Sequence, residues 1–162
     1  MTEKLNKKIK TVKTILKDIR TLERYCDEDI PSNISEDLFH LEYNLINYIN
    51  TTPLLVKLGL NEDEIDKYFS NTCEYQLKKE IDTHKFDFDC DYRKELLSKM
   101  TYINSVQKCF IDEFDSEHED TYTLYEYNSN RYVIHENYIT GCGRDHFITQ
   151  VTFDSNKKYE LC

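Results

Sequence analysis

Alanine and tryptophan are absent from this chain of 162 residues, glycine occurs three times and proline twice. Three glycines leave little material for a loop that cradles phosphate, and no G-x-S-x-G, P-loop or H-E-x-x-H pattern is present. No apolar run approaches the roughly 18 residues of a membrane span. The six cysteines form no Cys-x-x-Cys pair, and the polar start, Met1 to Lys8, lacks the apolar core of a secretory signal. The expectation is a cytoplasmic protein (host cytoplasm if viral) without disulfides, its cysteines mostly small buried hydrophobes. Scarce alanine and glycine with abundant Asn, Ile, Lys and Tyr match strongly AT-biased coding, as in bacteriophages, large DNA viruses and AT-rich bacteria.

The length suits one domain spanning 1–162, large enough to bury a core without metal or disulfide staples. Apolar residues make up 39% and charged residues 32%, so the chain folds but presents a wet surface. The net charge is −10 and unevenly placed. Residues 1–25 hold eight Lys/Arg against three acids, leaving about −15 on the other 137. An acidic body repels nucleic acid and steers cationic partners toward itself.

Leu5, Ile9, Val12, Leu16 and Ile19 step by four and three, which predicts an amphipathic helix over 3–26. The same spacing is a coiled-coil seam, so a homodimer through this helix is compatible with it. Asn33 and Glu36 resemble a capping box opening a second helix, with Leu38, Leu41, Leu45 and Ile49 on one face and His40 packed beside it. Thr51-Thr52-Pro53 ends it, because proline disfavours helical geometry in the preceding residue. Gly59 and Asn61 mark a stop and a fresh start, and the new helix continues through Ile65, Phe69, Cys73, Leu77 and Ile81 to about His84. Its first turn carries Glu62, Asp63 and Glu64, which excludes a DNA recognition helix and suits the positive end of a helix dipole.

Lys85 to Asp91 alternates acids with Phe86, Phe88 and Cys90 and is expected to be extended, its last aspartate capping a fourth helix over 92–114. From 121 to 162 apolar residues recur at intervals of two: Tyr122 and Leu124, Tyr132 and Ile134, Phe147 to Phe153, Tyr159 and Leu161. Asn128-Ser129-Asn130, Gly141 to Asp145 and Asp154-Ser155-Asn156 supply the reversals. The fold class is therefore α+β, with about four helices in a helical part (1–115) packed on a four-stranded antiparallel meander (121–162).

Six carboxylates between Asp112 and Asp120 sit where the last helix meets the first strand and oppose its dipole, an arrangement that suggests function rather than stability. Asp112, Glu113, Asp115, Glu117, Glu119 and Asp120, with Tyr125 and Tyr127 on the face opposite Tyr122 and Leu124, form the expected partner-binding surface. The expected partner is a basic protein, a nucleic-acid-handling enzyme with a cationic groove for the acids being one such partner; nucleic acid and membrane are not expected as direct partners, and no cofactor is expected. That is the work of an inhibitor or immunity protein, of the kind a phage or virus uses against a host defence. His135, Cys142 and His146 offer the alternative of zinc or Cys/His hydrolysis, and helix one that of an assembly protein.

Overall fold

The structure, a computed structural model, describes residues 1–25, 31–70, 81–111 and 116–152. Two compact units divide the chain, 1–56 and 57–162.

The first unit is made of α1 (Glu3–Tyr25) and most of α2 (Ser32–Leu58). The predicted stripe of α1 turns Leu5, Ile9 and Ile19 inward and leaves its lysines in water. Contrary to expectation, α2 runs through Pro53. A mid-helix proline costs about 3 kcal/mol, but fully burying leucines such as Leu55 and Leu58 returns about 1.5–3 kcal/mol each. Thr52 also donates its hydroxyl to the Tyr48 carbonyl at 2.6 Å. His40 is exposed rather than packed, beside an equally open Phe39.

The second unit is a sheet with helices on both faces. Gly59, at φ 99°, takes the left-handed turn that ends α2, and Asn61 opens α3 (Glu62–Ser70). A capping box closes there: the Glu64 N–H donates to Asn61 Oδ1 at 3.0 Å and the Asn61 N–H donates to Glu64 Oε2 at 2.9 Å. The expected continuation of this helix through Cys73 and Leu77 lies outside the described residues. Lys85 to Asp91 is not extended. Asp82 caps α4 (Thr83–Phe88) and Asp89 caps α5 (Cys90–Lys99). Burial of Phe86 overrides the alternation, because one helical turn brings that ring into the core.

The sheet is an antiparallel meander in the order β1-β2-β3-β4: β1 (Thr101–Ile111), β2 (Glu117–Tyr127), β3 (Asn130–Ile139) and β4 (Gly143–Gln150). It therefore begins 20 residues earlier than expected, since Thr101–Ile111 is a strand and not the end of a helix. Ile103, Val106 and Phe110 fit a helical stripe as well as a strand, but the segment is rich in β-branched and aromatic residues, and pairings such as Val106↔Tyr122 decide the matter. The strand expected around Tyr159 and Leu161, and the turn at Asp154, lie outside the described residues. Asn128 and Ser129 both adopt positive φ, 49° and 62°, the two-residue turn that suits strand twist.

Register assigns the side chains to two faces. One carries Val106, Lys108 and Phe110, then Asp120, Tyr122 and Leu124, then Val133, His135 and Asn137, and Phe147; the other carries Cys109, Glu119, Tyr125, Tyr132, Ile134, Glu136, His146 and Ile148. On the second face, at the end near the β2–β3 turn, Phe86 of α4, Leu96 of α5 and Met100 just beyond it build a core with Tyr132, Ile134 and Ile148. On the first face, α3 is tied down by the Glu64–Arg131 ion pair at 2.5 Å, and the end of α2 by the Asn104 amide donating to the Leu58 carbonyl at 3.1 Å. Both devices act at the same end of the strands. The other end, where β1 meets β2 and β3 turns into β4, carries the charged clusters around Asp120 and Arg144.

Candidate functional site

Strand alternation splits the acidic run between the two faces of β2. Glu117 and Glu119 fall on one face and Asp120 on the other; Asp112, Glu113 and Asp115 lie outside the described residues. The run is not a helix-to-strand linker. Its described members, Glu117, Glu119 and Asp120, lie on β2, which pairs with β1 through Phe110↔His118 and Ile111↔Glu117.

Asp120 is turned inward. Its Oδ1 lies 3.0 Å from His135 Nε2 and accepts from the Asn137 amide at 2.7 Å. Burial pushes the Asp120 carboxyl up, yet the bonds from His135 and Asn137 outweigh it and hold the group below the usual carboxylate range. The His135 ring stacks on Tyr122 at 4.3 Å between centroids and tilts against Phe147. Above them sits Tyr68 of α3, its hydroxyl pushed up by burial and by the nearness of Tyr122 and Asp120. The cluster is a packed hydrogen-bonded network between β2 and β3.

The opposite face carries a second charged group. Arg144 lies 3.6 Å from Glu119 and 3.9 Å from Glu136, with its guanidinium over the Tyr138 ring. His146 approaches Glu136 at 3.2 Å, while burial, reinforced by Arg93 and Arg144, holds its pKa below the ordinary imidazole value. Asp87 accepts the His146 backbone N–H at 3.0 Å.

These positions dissolve the zinc arrangement. His135 pairs with Phe147 and Glu136 with His146, so the two histidines project to opposite faces, and Cys142 sits exposed in the β3–β4 turn. No group of three or more potential ligands that could hold a metal occurs among the described residues. Cys109 also lies on the face away from His135. The expectation of buried cysteines fails for all three that are described: Cys90, Cys109 and Cys142 are exposed, one at a helix start, one on an edge strand and one in a turn.

Tyr125 and Tyr127 do fall on the face opposite Tyr122, but α4–α5 cover it, so both rings are half-buried against the core. Exposed apolar surface lies instead on β1, which sequence reading assigned to a helix: Tyr102, Ile103, Phe110 and Ile111 are open, Ile111 by 65%. Its period-two pattern of partial burial was visible only once β2 supplied a partner.

Among the described residues no helix is long and apolar enough to cross a membrane. Comparison with protein-family models, curated proteins and solved structures returns no match for the chain.

Proposed function

We propose that this chain is a non-enzymatic acidic binding protein that inhibits or neutralises a basic protein, taking the place of nucleic acid in a cationic groove. The observation that supports the reading is the charge of the sheet. The four strands carry six carboxylates, all on β2, β3 and β4, against two arginines and Lys108. Glu117, Glu126 and Asp145 are exposed, and Glu119 and Glu136 keep partial access to water. Both arginines are engaged within the fold, Arg131 by Glu64 and Arg144 by Glu119 and Glu136, which leaves Glu117, Glu126 and Asp145 as the more open carboxylates. The surface thus offers fixed carboxylates on a rigid scaffold, which favours fast association with a cationic protein and discriminates against anionic ones.

Phage or viral anti-defence proteins and toxin-immunity proteins do this kind of work, and the AT-biased composition fits a phage or viral source. Titration against a panel of basic nucleases, read by calorimetry, tests the proposal. The expected result is stoichiometric binding to at least one member with loss of its activity, weakening as salt is raised past the range where exposed charges are screened, about 0.1 M and above. Binding that ignores salt, or no binding across the panel, would overturn it.

A further inference from the structure

The two edges of the sheet are treated differently. On β4 the edge is short and polar: α4 lies against it, Asp87 takes the His146 N–H, and Arg144 and Asp145 flank it. These are the usual guards against unwanted strand pairing. β1 lacks them. It is 11 residues long, carries Lys108 as its one charge and contains no proline. At its start, Asn104 reaches the Leu58 carbonyl and accepts from the Ser105 N–H, which occupies that part of the edge. From Val106 to Ile111, no described residue other than those of β2 is hydrogen-bonded to the strand. This open stretch of six residues matches an ordinary strand in length, and Phe110 and Ile111 are exposed upon it.

We infer that the outer edge of β1 from Val106 to Ile111 is a docking site for an extended, basic segment of the protein partner, which adds to the sheet as a fifth strand. The inference rests on the function proposed above and names the element that makes contact. Backbone groups of β1 supply affinity in the manner of β-strand addition, and charge selects the occupant. Glu117 and Glu119 pair with Ile111 and Cys109, so they point to one face directly behind the open edge. A strand added outside β1 lies about 10 Å from β2, a gap that a lysine or arginine and a glutamate span together. A second copy of the chain would bring another −10 and the same Lys108 to the seam, and is disfavoured by repulsion.

The probe is a peptide of about eight residues alternating lysine and valine, with two versions N-methylated at every other residue so that one or the other backbone edge cannot pair. Binding is measured by fluorescence anisotropy, and amide hydrogen exchange locates it. The expected result is binding that falls about tenfold between about 50 and about 300 mM salt, with slowed exchange confined to Val106–Ile111. One N-methylated version should lose about tenfold or more in affinity. Cys109→Lys should weaken binding about fivefold, while the charge-matched Ile34→Lys in α2 leaves it unchanged. If both N-methylated peptides bind as well as the parent, or protection appears elsewhere, the edge is not the site although the acidic-binder reading stands. If the peptide fails to bind while a basic nuclease binds, the edge is again excluded. If neither binds, both proposals fall. If the protein alone already protects Val106–Ile111 and has twice the expected mass, the occupant is a second copy and the inference is overturned.

Discussion

Replacing Arg131 with methionine isolates the contact that holds α3 on the sheet. Arg131 donates to Glu64 at 2.5 Å and to the Gly59 carbonyl at 3.2 Å, and the Glu64 side chain is only 4% exposed. Methionine keeps most of the volume but leaves a buried carboxylate without its cation. Removing one partner of a fully buried pair costs about 3–5 kcal/mol. Arg131 retains 27% exposure, so water partly compensates and about 2–3 kcal/mol is expected. With a urea slope of about 1–3 kcal/mol per molar, the midpoint of unfolding falls by about 1–2 M. Glu64→Gln, which can still cap Asn61, should cost about 1–2 kcal/mol. The double variant decides between pairing and packing: once the carboxylate is neutral the missing guanidinium matters less, so the two losses should fall short of their sum by about 1 kcal/mol or more. Strict additivity, or a loss below about 0.5 kcal/mol for Arg131→Met, would refute the reasoning. Amide exchange across Glu62–Ser70 should accelerate more than exchange in β3, because the pair anchors the helix rather than the strand.

Three further outcomes follow from the same geometry. His146 has a folded pKa below the ordinary 6.5, chiefly through burial, so the folded state binds fewer protons than the unfolded chain. Stability is then fully present above about pH 6.5 and lost as pH falls below it; urea titrations of His146→Gln should lack this first phase and keep a second loss below about pH 3.8, where Asp120, whose pKa is also lowered, is protonated on unfolding. Phe86→Ala should cost about 3–5 kcal/mol by calorimetry, since the ring is wholly buried between α4, α5 and the sheet; a loss under about 1 kcal/mol would place the core elsewhere. Gly59→Ala should cost about 1–2 kcal/mol in the same assay although no atom obstructs a Cβ, because φ 99° is costly for any L side chain.

What could be read from sequence was whatever local chemistry decides. The stripe of α1, the stop at Gly59, the cap at Asn61 and the turn at Asn128-Ser129 each depend on a few adjacent residues, and each stands where it was expected. The layout of helices followed by an antiparallel sheet followed from them. Failures concentrate where a distant partner overrides the local pattern. Thr101–Ile111 fits two periods, and only β2 selects between them. Pro53 is a local stop that buried leucines nearby overrule, and Phe86 bends an alternating segment into a helix by entering the core. The candidate site was legible as composition but not as geometry. The carboxylates of β2 are present in sequence, yet which of them face water follows from strand parity, and their place in a hairpin was hidden by the misread β1.

On the reading proposed above, an open β1 edge and a strong net charge are two halves of one device. A strand edge so lightly guarded among the described residues, with exposed Phe110 and Ile111, invites pairing with any extended chain, including copies of itself. Charge supplies at long range the discrimination that the edge lacks at contact. Two chains of −10 meet a repulsive field before their edges can align, whereas the proposed basic segment would be drawn toward Glu117 and Glu119 and would arrive beside backbone groups that no described residue outside β2 engages. Screening removes the repulsion and the attraction together, so raising salt should weaken capture of a cationic strand while it promotes self-association. Sedimentation velocity of the protein alone between low and high salt reads the second effect. A monomer that stays monomeric at about 1 M salt, where charges are screened beyond about 3 Å, would mean that something other than charge guards β1.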